Sequence, residues 1–155
     1  MRWQIPRWAA RAPVPLLRNG FGWLLGPRFL LLEHIGRRSG QPRHVVLEVI
    51  DRAAGGWYVV SAYGERAQWL RNIRRQPRVR VWWLQLRGVP AEAIVLDRLA
   101  ARRVFDGYID RNPRLAGVLA RLTTGASPGL DGAELAEHLV RETVLVWVSA
   151  TRSVA

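Results

Sequence analysis

The chain has 155 residues, 49% hydrophobic and 23% charged, a composition that suits one folded domain over residues 1–155 and argues against wholesale disorder. It contains no cysteine, which excludes disulfides, thiolate nucleophiles, iron–sulfur clusters and cysteine-bound zinc. All 24 basic residues are arginine, and against 12 acids they leave a net charge of +12, a field that attracts nucleic acid, anionic lipid or an acidic small molecule.

Residues 1–27 read as an N-terminal amphipathic segment in which Trp3, Trp8, Phe21 and Trp23 are interrupted by Arg7, Arg11 and Arg18. No apolar stretch reaches the roughly 18 residues that a membrane span needs, and no cleavage site follows a clean apolar core. A cytoplasmic protein is expected. Three roles for the segment stay open: cover over a substrate pocket, plain core, or an interfacial anchor giving peripheral contact at the inner face of the membrane.

Residues 28–35, rich in leucine, predict a buried strand, and residues 36–43 predict a turn into a second strand over 44–50. A further turn at 53–56 leads to a third strand at 57–61. Between Glu65 and Gln76 the positions Ala67, Leu70 and Ile73 recur at helical spacing, and Pro77 ends the pattern. Residues 79–83 and 89–96 predict a second hairpin that turns at Arg87-Gly88. Helical patterns follow from about Asp97, over 114–122 and over 133–140, with a break at Asn112-Pro113, a loop at 123–132 and a last strand at 143–149. About six short strands with two helical insertions predict a mainly β, α+β domain built on a closed or nearly closed antiparallel barrel.

Catalysis by side chains alone has little support. His34, His44 and His138 have neither the spacing nor the intervening glutamate of a helical zinc site, so no metal is expected. There is no Gly-x-Ser-x-Gly elbow, Walker loop or Gly-x-Gly-x-x-Gly after a strand. The arginines are scattered among acids without a long basic block, so no dedicated nucleic-acid partner is expected.

Two segments carry possible binding chemistry. In Arg37-Arg38-Ser39-Gly40, with Arg43 three residues on, glycine lets backbone N–H groups converge while guanidinium forks grip carboxylate or phosphate oxygens. The alternative is an ordinary hairpin loop in an arginine-biased chain. In the second segment, Trp69 and Asn72 lie three residues apart and share a helix face, either to hold and hydrogen-bond a ring or as a core residue beside a surface one.

Taken in order, Leu31 to Arg43, Tyr58 to Gly64 and Trp69 to Pro77 resemble the deazaflavin-dependent nitroreductase and quinone reductase family, most closely over residues 28–96. The resemblance implies a split β-barrel and the use of reduced coenzyme F420, an 8-hydroxy-5-deazaflavin with a phosphodiester and an oligoglutamate tail; FMN serves a related set of split barrels. It implies that Arg37, Arg38 and Arg43, with Ser39 and Gly40, bind the phosphate and tail, that Ala62, Tyr63 and Gly64 pass the ring system, and that Trp69 and Asn72 line the deazaflavin. Family members often carry lysine where this chain has Tyr63, and their tyrosine cluster is largely missing, with Leu115 near one such place.

On this reading the protein is an oxidoreductase, the cofactor carries the hydride, and the acceptor is a quinone, a nitro compound or an activated alkene. Trp3, Trp8, Phe21 and Trp23 are the expected substrate-pocket cover. No catalytic residue is assigned; Tyr63 and solvent are equal candidates for proton donor. The competing readings are a non-catalytic carrier of a flavin-like or other anionic ligand and a basic module for nucleic acid or anionic surfaces. A homodimer is expected from the tendency of sites to form at subunit junctions.

Overall fold

The computed structural model describes Pro15, Arg18, Asn19, residues 26–61 and residues 64–151, the side chains of residues 122–124 excepted. Trp3, Trp8, Phe21, Trp23, Ala62 and Tyr63 lie outside the described residues. Six antiparallel strands close into a barrel: β1 (Phe29–Ile35), β2 (Pro42–Ala53), β3 (Gly56–Ser61), β4 (Arg78–Trp83), β5 (Leu86–Val95) and β6 (Val144–Ala150), in the order β1-β2-β3-β6-β5-β4. Closure comes from the pairing of β1 with β4, Leu32 opposite Val81. A closed sheet leaves no free edge to recruit another chain.

The two-residue alternation of a strand sorts side chains to two cores. Inside the barrel sit Leu30, Leu32, Leu47, Val59, Val81, Ala93, Val146 and Val148. Trp57 and Trp83 are packed edge to face there, with ring centroids 5.7 Å apart. Outside, Ile50, Val60 and Leu145 meet a layer of three helices: α2 (Arg98–Arg111), α3 (Pro113–Thr124) and α4 (Gly132–Glu142). Phe105, fully buried, sits in that second core. A bulge in β2 between Val49 and Asp51 turns consecutive residues to this side. Ile50 enters the helical core and Asp51 pairs with Arg111 of α2 at 2.6 Å.

Local signals place the helix ends. Asp97 accepts from the Ala100 N–H at the start of α2, Pro113 opens α3, and Gly125 ends α3 in the left-handed conformation. Asp131 and Glu134 form a reciprocal capping box on α4.

The structure lengthens β2 from the expected 44–50 to 42–53, and it departs from the sequence expectations further at a helix and at a turn. The predicted helix over 65–76 divides into a 3-10 turn (Gly64–Arg66) and α1 (Gln68–Arg75), because Ala67 takes an extended conformation between them. The second hairpin turns at Leu84-Gln85 rather than at Arg87-Gly88, with Leu84 at φ 51°. Gly88 belongs instead to a bulge facing Trp82: its φ is 59°, and a side chain there would meet the Trp82 ring at 3.3 Å, so glycine is required by conformation and by space.

Candidate functional site

The β1–β2 connection builds the arginine turn. Gly40 N–H donates to the Gly36 carbonyl at 2.8 Å, and Gly36 N–H to the Gln41 carbonyl at 2.9 Å. Gly40 takes a left-handed φ of 67°. At Gly36 a Cβ would collide with Ser39 Oγ at 2.6 Å. Gly40 is therefore favoured by its conformation, whereas a side chain at Gly36 would make the Ser39 hydroxyl turn aside.

Arg37 fixes this turn to α1. Its backbone N–H and its Nη1 both donate to Asn72 Oδ1, at 3.1 and 3.0 Å, and Nη1 also donates to Gln68 Oε1 at 2.9 Å. Asn72 is buried, and its Nδ2 lies 3.0 Å from Nδ1 of His34, also buried. The turn, the barrel interior and α1 are thus joined by one chain of hydrogen bonds. Arg38, Ser39, Gly40 and Arg43 are exposed, and Arg38 and Arg43 make no ion pair with any described residue. The backbone N–H groups of Arg38 and Ser39 find no acceptor among the described residues.

Trp69 lies elsewhere. It is 7% exposed and packs with Leu70, Ile73 and Ala67 in the barrel core. Trp69 and Asn72 share the buried face of α1, but the indole joins the apolar interior while the amide is committed to Arg37 and His34. Gly64 stands at the start of the 3-10 turn, where its carbonyl accepts from Ser61 Oγ at 3.0 Å. Ala62 and Tyr63, between them, are outside the described residues.

Sequence reading missed two members of this arrangement, His34 and Gln68. His34 continues the inward series Leu30, Leu32 along β1, so strand alternation alone places it inside. Gln68 lies four residues before Asn72, one helical turn away on the same face.

Burial pushes the His34 imidazole down to about 4, and its electrostatic interactions with His44 and Arg43 push the same way. Its folded value lies below its usual 6.5, so the unfolded chain binds more protons between those values and stability falls as pH drops from 6.5 towards 4. Chemical denaturation should show the stability advantage of wild type over His34→Leu shrinking across that window. A constant difference from pH 7 to pH 4 would contradict a neutral buried imidazole.

The other end of the hairpin offers a contrast. A cleft of about 290 Å³ lies beside Arg28, Glu48, Asp51, Tyr108 and Leu115. Its charges are largely neutralised within the fold, Arg28 by Glu48 at 2.7 Å and Asp51 by Arg111. Burial raises the Tyr108 phenol above its usual range, and the Glu48 carboxylate adds to that effect. Among the described residues no group of three or more His, Asp or Glu side chains is arranged to hold a metal ion. No described helix is long and apolar enough to cross a membrane.

Residues 18–112 match the model of the F420H(2)-dependent quinone reductase family, a stretch that holds the arginine turn, residues 62–64 and α1. The chain belongs to this family. It is a family of F420H2-dependent oxidoreductases. No protein with a curated description matches the chain by sequence.

The fold of this family member is a split β-barrel. It is similar to a conserved hypothetical protein, Rv2991 of Mycobacterium tuberculosis, at 19% identity and a TM-score of 0.51, over 84% of this chain and 77% of that one. It is similar to a pyridoxamine 5'-phosphate oxidase-related, FMN binding protein of Nostoc punctiforme, at 15% identity and a TM-score of 0.50, over 97% and 83%. A structure described as a domain-swapped dimer matches at 17% identity and a TM-score of 0.52, over 92% and 96%. At such identities the likeness is one of fold.

Proposed function

We propose that this family member binds reduced coenzyme F420 at the arginine turn and reduces a small electron-poor acceptor, with a quinone as first choice and a nitro compound or activated alkene as further candidates. The observation that carries the reading is the character of the turn. Two exposed guanidinium groups, Arg38 and Arg43, have no partner among the described residues, and they stand beside two backbone N–H groups equally without acceptors. Such a surface suits a phosphodiester and carboxylate tail. Arg38, Arg43, Ser39 and Gly40 would hold that tail, with Arg37 tying the turn to α1. Gly64 and the residues before it, with the Trp69–Asn72 segment, would take the ring end.

The cofactor supplies hydride when bound; the protein supplies binding, orientation and exclusion of water. Trp3, Trp8, Phe21 and Trp23 are proposed to cover the acceptor. In the cleft at the other hairpin end, ion pairs already absorb most of the charge, which leaves the turn as the better anion site. A second copy of the chain as partner is proposed on the similarity to the domain-swapped dimer.

The test mixes purified protein with reduced F420, FMN and NADPH in parallel and follows fluorescence quenching and oxidation on adding a soluble quinone. Quinone-dependent oxidation of reduced F420 alone is expected. Turnover with FMN would assign the site to the other cofactor of this fold, and F420 binding without turnover would make the chain a carrier.

A further inference from the structure

We propose that His34 is a positioning residue for the arginine turn, acting through Asn72 as a polarity lock that sets which end of the Asn72 amide faces Arg37. The geometry admits one self-consistent arrangement of donors. The Arg37 backbone N–H and guanidinium can only donate, and both point at the same atom of Asn72, at 3.1 and 3.0 Å. That atom must be the amide oxygen. The NH2 of Asn72 therefore faces His34 Nδ1 at 3.0 Å, and Nδ1 must be the unprotonated, accepting nitrogen, with the ring proton on Nε2.

Removing the acceptor, or protonating it, leaves the amide without a satisfied orientation. With a proton on Nδ1, donor faces donor on the His34 side; if the amide flips, donor faces donor on the Arg37 side. The first loses the buried Asn72–His34 contact and the second both Arg37 bonds to Asn72, and with either the hold on the turn weakens. The surroundings oppose that proton. His34 is 4% exposed; Arg43 and His44 of β2 are the charged or titratable groups acting on it, Glu33 is engaged by His44 at 3.0 Å, and α1 presents only the neutral Asn72 and Gln68 to this network.

The lock itself is independent of the cofactor; its consequence for binding rests on the proposed F420 reading. The test separates the two. Asparagine places Oδ1 where the imidazole has Nδ1, whereas leucine has the same branching without an acceptor. In the cofactor-free protein, the Arg37 amide of His34→Leu should exchange with solvent roughly tenfold faster than in wild type, the factor one ordinary neutral hydrogen bond provides. His34→Asn should restore wild-type exchange, a rescue that filling the space alone does not predict. F420 affinity should fall with His34→Leu and recover with His34→Asn.

If His34→Leu does not fold, the wild-type protein answers the question. As pH is lowered, the Arg37 backbone amide and the Asn72 side-chain amide should shift together with the His34 ring nitrogens. Equal Arg37 exchange in the leucine and asparagine variants, or amides that stay put while His34 titrates, would overturn the lock. Intact lock signals without F420 binding would instead sink the cofactor reading and leave the lock standing.

Discussion

Replacing Arg38 and Arg43 together by alanine weakens F420 binding by about 100-fold, while the melting temperature stays within about 2 °C of wild type. Hydrogen bonds to charged groups contribute about 1.5 to 3 kcal/mol each, and the lower end applies here because both side chains are exposed and water screens them. Two such contacts give about 3 kcal/mol, hence the factor of about 100. Stability is spared because neither guanidinium has an ion-pair partner among the described residues. Fluorescence titration and a thermal melt on the same sample check both halves. Affinity within a factor of three of wild type would remove the turn from the binding site. Arg37→Ala is a poorer test, since it also releases Asn72 and Gln68.

The second large effect is on stability. Asn72→Leu keeps the side-chain size but strips the turn of its anchor, leaving His34 Nδ1 without a partner in a buried setting and the half-buried Arg37 N–H without its acceptor. A buried polar group left unsatisfied costs about 1 to 3 kcal/mol, so the pair costs about 3 kcal/mol. For a chain of this length that lowers the melting temperature by about 6–12 °C. The loss should be local as well as global, with exchange of the Arg37 and Gly40 amides rising more than that of barrel amides such as Val59 or Val146. A melt within about 2 °C of wild type would mean that water replaces Asn72 at no cost, and that the link between turn and α1 does not hold the site.

Every strand was legible, β4 from its alternation and β1, β3 and β6 as short apolar runs bounded by turn or loop residues, because those three are buried on both faces. Helix starts were equally readable where a local signal marks them, as at Asp97 and Asn112-Pro113, whereas α3 runs two residues past the expected 122 to its cap at Gly125. The β4–β5 turn was misplaced because Gly88 carries the same signature in a bulge as in a turn. Only the Trp82 ring lying against it, contributed by the neighbouring strand, distinguishes the two.

The candidate site divides along the same line. The run from Arg37 to Arg43 showed a glycine-bearing basic turn from its residues alone, since composition and spacing are local properties. That Arg38 and Arg43 have no ion-pair partner among the described residues while Arg37 is engaged could not be read there, since three arginines look alike until α1 is set beside the turn. Trp69 and Asn72 shared a predicted helix face, but which of them meets apolar core and which meets polar partners depends on the barrel wall behind α1. His34 was visible only as a histidine in a leucine strand. Its part in the site exists because β1 and α1, 38 residues apart at His34 and Asn72, are brought into hydrogen-bond contact by closure of the sheet. The order of residues thus determined the strands, the helix caps and the charge of the turn. Which polar groups were left free to bind was decided by long-range packing, because whether a donor is satisfied depends on its neighbours in space.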